Sequence, residues 1–215
     1  MAASTPVEIA SLAGAKDIQA GYNFGLALKT DGTVWFWGQN PAAYSGANPE
    51  VDPSAPVQVA GLADVVAIAS GDFHALALRA DGTVMAWGVN DAGQLGIGST
   101  IAQPAPVQVP GLSGVKAIFA GSEHSMAQAA DGSVHAWGNN YKGRLGDGSS
   151  TDRSSPVPVA ALAGVKQIAL GDYHTVVVRT DGTAWAFGDN ESGAIGDGTT
   201  IDRLQPARVL NVDGS

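Results

Sequence analysis

Residues 71–90, "GDFHALALRADGTVMAWGVN", decide the fold. Apolar side chains alternate up to Asp81-Gly82 and resume beyond it into Trp87-Gly88, the pattern of two strands joined by a tight turn. The same phrase returns as "GYNFGLALKTDGTVWFWGQN" at 21–40, "GSEHSMAQAADGSVHAWGNN" at 121–140 and "GDYHTVVVRTDGTAWAFGDN" at 171–190. The period is 50 residues without a slip: Asp-Gly pairs fall at 31–32, 81–82, 131–132 and 181–182. Pro-Val pairs open at 6, 56, 106 and 156, and "PARVL" at 206 marks a fifth start.

Each unit reads as short strands. In the last copy these are "VKQIALG" (165–171), "TVVVRTDG" (175–182) and "GTAWAFG" (182–188). A polar, Gly-rich loop follows, such as "NYKGRLGDGSSTDRSS" (140–155), and then a fourth short strand, "PVPV" (156–159). Its prolines suit a sheet edge, where a missing N–H costs little. Four strands per repeat, with two apolar faces that only neighbouring repeats can cover, describe the blade of a β-propeller. The expected architecture is a single all-β domain over 1–215, with units at about 6–55, 56–105, 106–155 and 156–205 and an extra outer strand at 206–210. Five outer strands serve four hairpin units, so the first, "PVEI" (6–9), is surplus if a blade takes the outer strand that follows it.

Composition narrows the functional classes. The chain has 215 residues, no cysteine, 14% charged residues and a net charge of −9. Thiolate metal sites and cysteine nucleophiles are excluded. Scattered basic residues under a strong acidic excess argue against a nucleic-acid surface. No apolar run approaches the ~18 residues of a membrane span, and "MAASTPVEIA" lacks the n- and h-regions of a signal peptide. Compartment stays open.

Taken together, the landmarks of "GDFHALALRADGTVMAWGVNDAGQLGIG" (71–98) resemble the repeat of the regulator of chromosome condensation family. The G-x-x-H, L-A-L, D-G-x-V, W-G-x-N and G-Q-L-G-x-G elements recur over essentially the whole chain. The resemblance implies a β-propeller, in that family usually of seven blades; kelch repeats have a similar period but carry paired glycines that this unit lacks. The family includes an exchange factor for a small GTPase that sits on chromatin; the acidic charge and the four-unit length set this chain apart from it. Copy one departs from the pattern with Phe24 in place of His74, His124 and His174, and its loop 41–55 lacks the G-Q-L-G landmark. Copy four has Phe187 where Trp37, Trp87 and Trp137 stand. With four units, three arrangements stay open: a fragment of a longer array, a closed four-blade ring, or a half-propeller that a second chain completes to eight blades. Pairing of two chains through the terminal blades is the expectation favoured.

Several side chains invite chemistry. The three aligned histidines read as structural groups, each bonding within its own blade, and His135 as packing. No G-x-S-x-G elbow is present, so no catalytic residue is assigned. Asp147, Asp152, Asp197 and Asp202 sit in "GDGSSTDR" and "GDGTTIDR", which is turn chemistry without the spacing of a calcium loop. No metal and no cofactor is expected. Trp37, Trp87 and Trp137 read as blade-to-blade packing, and Trp35 and Trp185 as core before sugar platform. The informative positions are the pairs after the glycine that precedes each second strand: Tyr22-Asn23, Asp72-Phe73, Ser122-Glu123 and Asp172-Tyr173. Their neighbours repeat while they vary, keeping aromatic or acidic character. Variable turns on a rigid scaffold are where binding is placed, and similar G-x-aromatic-H turns in β-lactamase inhibitory protein II are presented to its target. The expected function is a non-enzymatic protein-binding module acting through these eight residues. The rival reading is a self-assembling structural half-propeller; a sugar-binding or catalytic propeller ranks third.

Overall fold

The computed structural model describes residues 8–38 and 54–210. Among these residues, sixteen strands form four antiparallel sheets of four, each in sequence order. Blade one comprises β1 (Ala15–Ala20), β2 (Phe24–Lys29), β3 (Val34–Gly38) and β4 (Val57–Gln58). Blade two is β5 (Val65–Ser70), β6 (His74–Arg79), β7 (Val84–Gly88) and β8 (Gln103–Gln108). Blade three is β9 (Val115–Ala120), β10 (His124–Ala129), β11 (Val134–Gly138) and β12 (Arg153–Pro158). Blade four is β13 (Val165–Leu170), β14 (His174–Arg179), β15 (Ala184–Gly188) and β16 (Arg203–Arg208). Two single-turn 3-10 segments, Ala10–Leu12 and Tyr141–Gly143, are the helical pieces among the described residues.

Each sheet takes the outer strand that follows its hairpin, and that strand starts before the Pro-Val pair in blades two and three and before Pro206-Ala207 in blade four. The outer strand expected at 206–210 is thus β16, the fourth strand of blade four. Of the surplus "PVEI", Pro6 and Val7 lie outside the described residues, as does most of the loop 41–55. Glu8 and Ile9 are exposed and belong to no strand.

The hairpins form at the Asp-Gly pairs, with four residues between the strands. In blade two, Arg79 N–H donates to Thr83 O and Gly82 N–H to Arg79 O, while Asp81 Oδ1 accepts from the Thr83 N–H and hydroxyl. Gly82 has φ +83°, the left-handed conformation that closes this loop. The pairing register is Ala75 with Trp87 and Leu76 with Ala86, so successive residues of β6 face opposite neighbouring blades.

That alternation builds three separate cores instead of one. Leu26, Leu28 and Phe36 meet Ile68, Ala75, Ala77 and Trp87 between blades one and two. Leu76, Leu78 and Leu95 meet Ile118, Ala127 and Trp137 between two and three. Met126, Val134 and Leu145 meet Ile168, Val177 and Phe187 between three and four. The first strands of successive blades touch and so line the axis. The outer blades keep one face without a described neighbour: Ile18 is 68% exposed, against 4%, 8% and 5% for Ile68, Ile118 and Ile168. No described helix is long and apolar enough to cross a membrane.

Candidate functional site

Every turn between a first and a second strand opens with glycine because an aromatic ring lies on it. A Cβ at Gly21 would stand 2.0 Å from the Phe24 ring, and one at Gly71 or Gly121 2.3 or 2.4 Å from the His74 or His124 ring. The turns are stitched to one another around the axis. Tyr22 N–H donates to Asp72 O (3.0 Å) and Asp72 N–H to Ser122 O (3.1 Å). Asp172 O instead accepts from Arg144 Nη1 at 2.7 Å. They are also tied to the loops after the third strands, where Val89, Asn139 and Asp189 N–H groups donate to Phe73, Glu123 and Tyr173 carbonyls. Turns and Gly-rich loops therefore form one rim, and the Asp-Gly turns form the other.

Two aromatic pairs rise from this rim, with Tyr22, Tyr141 and Tyr173 exposed and Phe73 half-buried. Tyr22 packs against Phe73 with ring centroids 5.4 Å apart, and Tyr173 meets Tyr141 edge-on at 6.4 Å. Tyr22, Tyr141 and Tyr173 are 68%, 56% and 51% exposed, so these rings cover little and stand available. The eight predicted positions divide. Tyr22, Phe73 and Tyr173 supply the aromatic surface, and Asn23 and Asp172 are exposed beside them. Asp72 and Ser122 bond each other (2.7 Å), and Glu123 accepts from Asn139 Nδ2 (2.9 Å), so these three fix the turns.

Sequence reading missed Tyr141, Lys142 and Arg144. Arg144 is buried, reaches Tyr141 O and Asp172 O, and lies 4.8 Å from the Tyr173 ring centroid. Lys142 joins Glu191 (2.6 Å) and Asp189 (2.9 Å) across the blade boundary, and these partners raise its pKa. The signal was present: Gln94, Arg144 and Ala194 vary at one loop position, just as the rim turns do.

The histidines correct the expectation of bonds within each blade. His74 Nε2 meets Ser125 Oγ of blade three at 2.9 Å, and His124 Nε2 meets Thr175 Oγ1 of blade four at 3.3 Å. Each hydroxyl donates its own proton to a loop carbonyl, Ser125 to Gln94 and Thr175 to Arg144, both at 2.9 Å. The imidazole is therefore the donor at Nε2. Burial drives His74 down to about 4 and, helped by the Arg144 charge, His124 down to about 3, so both rings are neutral near pH 7.

The remaining candidates serve the framework. Trp137 Nε1 donates to Gln94 O (2.9 Å) with its ring against Gly96, and Phe187 seats on Gly146. Trp35 and Trp185 are half-buried, each under a cation, Lys29 at 4.0 Å and Arg179 at 3.9 Å. Asp147 pairs with Arg153 and Asp197 with Arg203, while Asp152 and Asp202 accept the Asn140 and Asn190 N–H groups. The buried amides of Asn140 and Asn190 then bond several carbonyls of their loops. These carboxylates close loops. An apolar cavity of about 600 Å³, walled by Ile18, Tyr22, Phe24 and Trp37, opens on the outer face of blade one.

Four-stranded blades stitched at one rim and fanned about an axis define a β-propeller of the regulator of chromosome condensation type. The model of the RCC1-like domain matches residues 1–215, and the chain belongs to that family. No curated protein matches it in sequence. Among solved structures, yeast RCC1 (Prp20) bound to Kap60 is 25% identical, with a TM-score of 0.79 over 92% of this chain and 49% of that one. A structure of Prp20p from Saccharomyces cerevisiae, described with its binding properties to Gsp1p and histones, is 25% identical with a TM-score of 0.78, covering 92% and 50%. Human WBSCR16 shares the fold at 24% identity and a TM-score of 0.80, covering 92% and 53%. The chain thus spans about half the length of these structures.

Proposed function

We propose that the chain is a non-enzymatic module that binds another protein through the rim carrying Tyr22, Phe73, Tyr141 and Tyr173. The observation that carries this reading is the pair of aromatic clusters, each with an exposed tyrosine, on turns held by hydrogen bonds to neighbouring turns and loops. Exposed aromatics on a preorganised surface contribute area at small entropic cost, and such residues dominate protein-protein hot spots. Asp172, exposed next to Tyr173, favours a partner that is neutral or basic where it touches the rim. The yeast relative's binding to Gsp1p and histones supports protein binding as the general role.

Titration with histones and with a Gsp1-type GTPase tests it. The Tyr22→Ala/Phe73→Ala pair and Tyr173→Ala are each expected to weaken binding about tenfold or more, while Asp81→Ala on the opposite rim leaves it unchanged. Equal binding by all variants would remove the rim from the interface, and no binding to either probe would remove both partners.

A second reading, self-assembly through the terminal blades, is favoured by the exposed Ile18 face and the half-buried Trp37 at one end. Apolar sheet faces of this kind promote association. Mass in solution decides: twice 21.6 kDa supports pairing, and a stable monomer at high concentration ends it.

A further inference from the structure

On the rim of the Asp-Gly turns, one side-chain position changes character between repeats. Blades one, two and four end their second strand with a cation, Lys29, Arg79 and Arg179, and blade three ends it with Ala129. The two arginines make the same bond. Arg79 Nη2 donates to Gly61 O at 3.0 Å, and Arg179 Nη2 donates to Ala161 O at 2.8 Å. In blade four the guanidinium also lies 3.9 Å from the centroid of the Trp185 ring. The turn carboxylates feel these charges: Asp81 and Asp181 are held below the ordinary carboxylate range first by Thr83 and Thr183, and further by Arg79 and Arg179. The blade-four site thus has three parts, a loop carbonyl, a turn carboxylate and a ring.

Blade three keeps all three parts without the arginine. Beside Ala129 lies a cavity of about 160 Å³, bordered by Gly111, Asp131, Ser133 and His135. Gly111 stands where Gly61 and Ala161 stand, and among the described residues nothing donates to its carbonyl. Asp131 Oδ1 accepts from the Ser133 N–H and hydroxyl, as Asp181 does from Thr183, and these bonds hold its carboxylate below the ordinary range. Half-buried His135 occupies the place of Trp185. A carbonyl and an ionised carboxylate can only accept, so the cavity calls for a donor that carries positive charge. No described Lys or Arg borders it.

We propose that this cavity receives the guanidinium of an arginine side chain from another protein. Its N–H groups donate to Gly111 O and to Asp131, and its plane lies over His135 as that of Arg179 lies over Trp185. Arginine fits better than lysine, because a planar fork serves a carbonyl and a carboxylate at once. A polypeptide fits better than free arginine. Nothing described as Lys or Arg is there to meet an α-carboxylate, while Asp131 and the net charge of −9 repel one. The site stands on the rim opposite the aromatic pairs and depends on none of them.

Titration of the full chain with N-acetyl-arginine methylamide, read by NMR at the His135 ring and the Gly111 amide, tests this. Saturable shifts are expected, with a dissociation constant of about 1 mM. The citrulline analogue, similar in shape but neutral, should bind about tenfold more weakly or worse. Free arginine should bind about threefold more weakly than the blocked form, because Asp131 repels its α-carboxylate. Ala129→Arg fills the cavity from within. It is expected to abolish the shifts and to raise the thermal midpoint by about 2–4 °C, the worth of one hydrogen bond in a chain of this size. Conversely, Arg179→Ala opens the same site in blade four and should add a second saturable set of shifts, at the Trp185 indole. Shifts that do not saturate, that persist in Ala129→Arg, or that the citrulline analogue reproduces overturn the proposal. So does an Ala129→Arg protein no more stable than wild type, or an Arg179→Ala protein without the second set. Free arginine binding as tightly as the blocked form overturns the polypeptide source and makes the free amino acid the ligand.

Discussion

Trp137→Ala is expected to cost about 3–5 kcal/mol, the range for truncating a fully buried aromatic. The ring is 0% exposed, fills the core between blades two and three beside Leu95 and Ala127, and lies against Gly96 of the preceding loop. Its indole N–H also donates to Gln94 O, which afterwards keeps Ser125 as its side-chain donor. Domains are stable by about 5–15 kcal/mol, so one ring carries a large share. At about 2–4 °C per kcal/mol for a chain of this size, the thermal midpoint should fall by roughly 6–20 °C. Trp137→Phe should recover most of this, because blade four uses Phe187 at the same place. Trp37→Ala is the internal control: half-buried, it should cost less than half as much. Equal losses at Trp37 and Trp137, read by circular dichroism on heating, would show that the loop-over-ring contact contributes nothing.

This contrast marks what the repeat discloses and what it conceals. Period and alternation made the strands, the hairpins and the four-blade count legible, because each depends on residues within one unit. Contacts between units depend on which way a side chain faces, and a one-residue difference reverses that. His74 and Ser125 meet across 51 positions, so reading the histidine within its own blade looked for its bond on the wrong side of the interface. Equivalence within the repeat is likewise silent about the ends: Ile18 and Ile68 are the same letter at the same place, yet one is open and the other buried. At the rim, variation identified the turns but not the pairing of Tyr173 with Tyr141, which lies in a loop from another strand of the preceding blade. Arg144 escaped for a related reason, since a basic residue in a Gly-rich loop looks solvated until the Asp172 carbonyl and the two tyrosine rings enclose it.

Stability is expected to fall as pH drops from 6.5 toward 4, a window set by His74 and His124. Both are buried and neutral in the folded chain, at about 4 and about 3 against 6.5 when unfolded. Between those values the unfolded chain binds protons that the folded chain refuses, so acid favours unfolding and stability rises with pH. The stabilisation is complete above 6.5 and lost progressively until each folded value is reached. For His74 the gap corresponds to about 3 kcal/mol at 1.36 kcal/mol per unit, and His124 adds at least as much. The carboxylates act in a different window. Asp147 and Asp197 are held below 3.8 by Ser149 and Arg153 and by Thr199 and Arg203, so their contribution is lost only below about pH 4. Urea midpoints between pH 7.5 and 4.5 therefore isolate the histidines. The His74→Phe/Ser125→Ala protein should show a visibly shallower slope there, roughly half the wild-type fall. An unchanged slope would mean that the His74 imidazole is hydrated or charged in the folded chain and that its burial is not what makes the fold acid-sensitive.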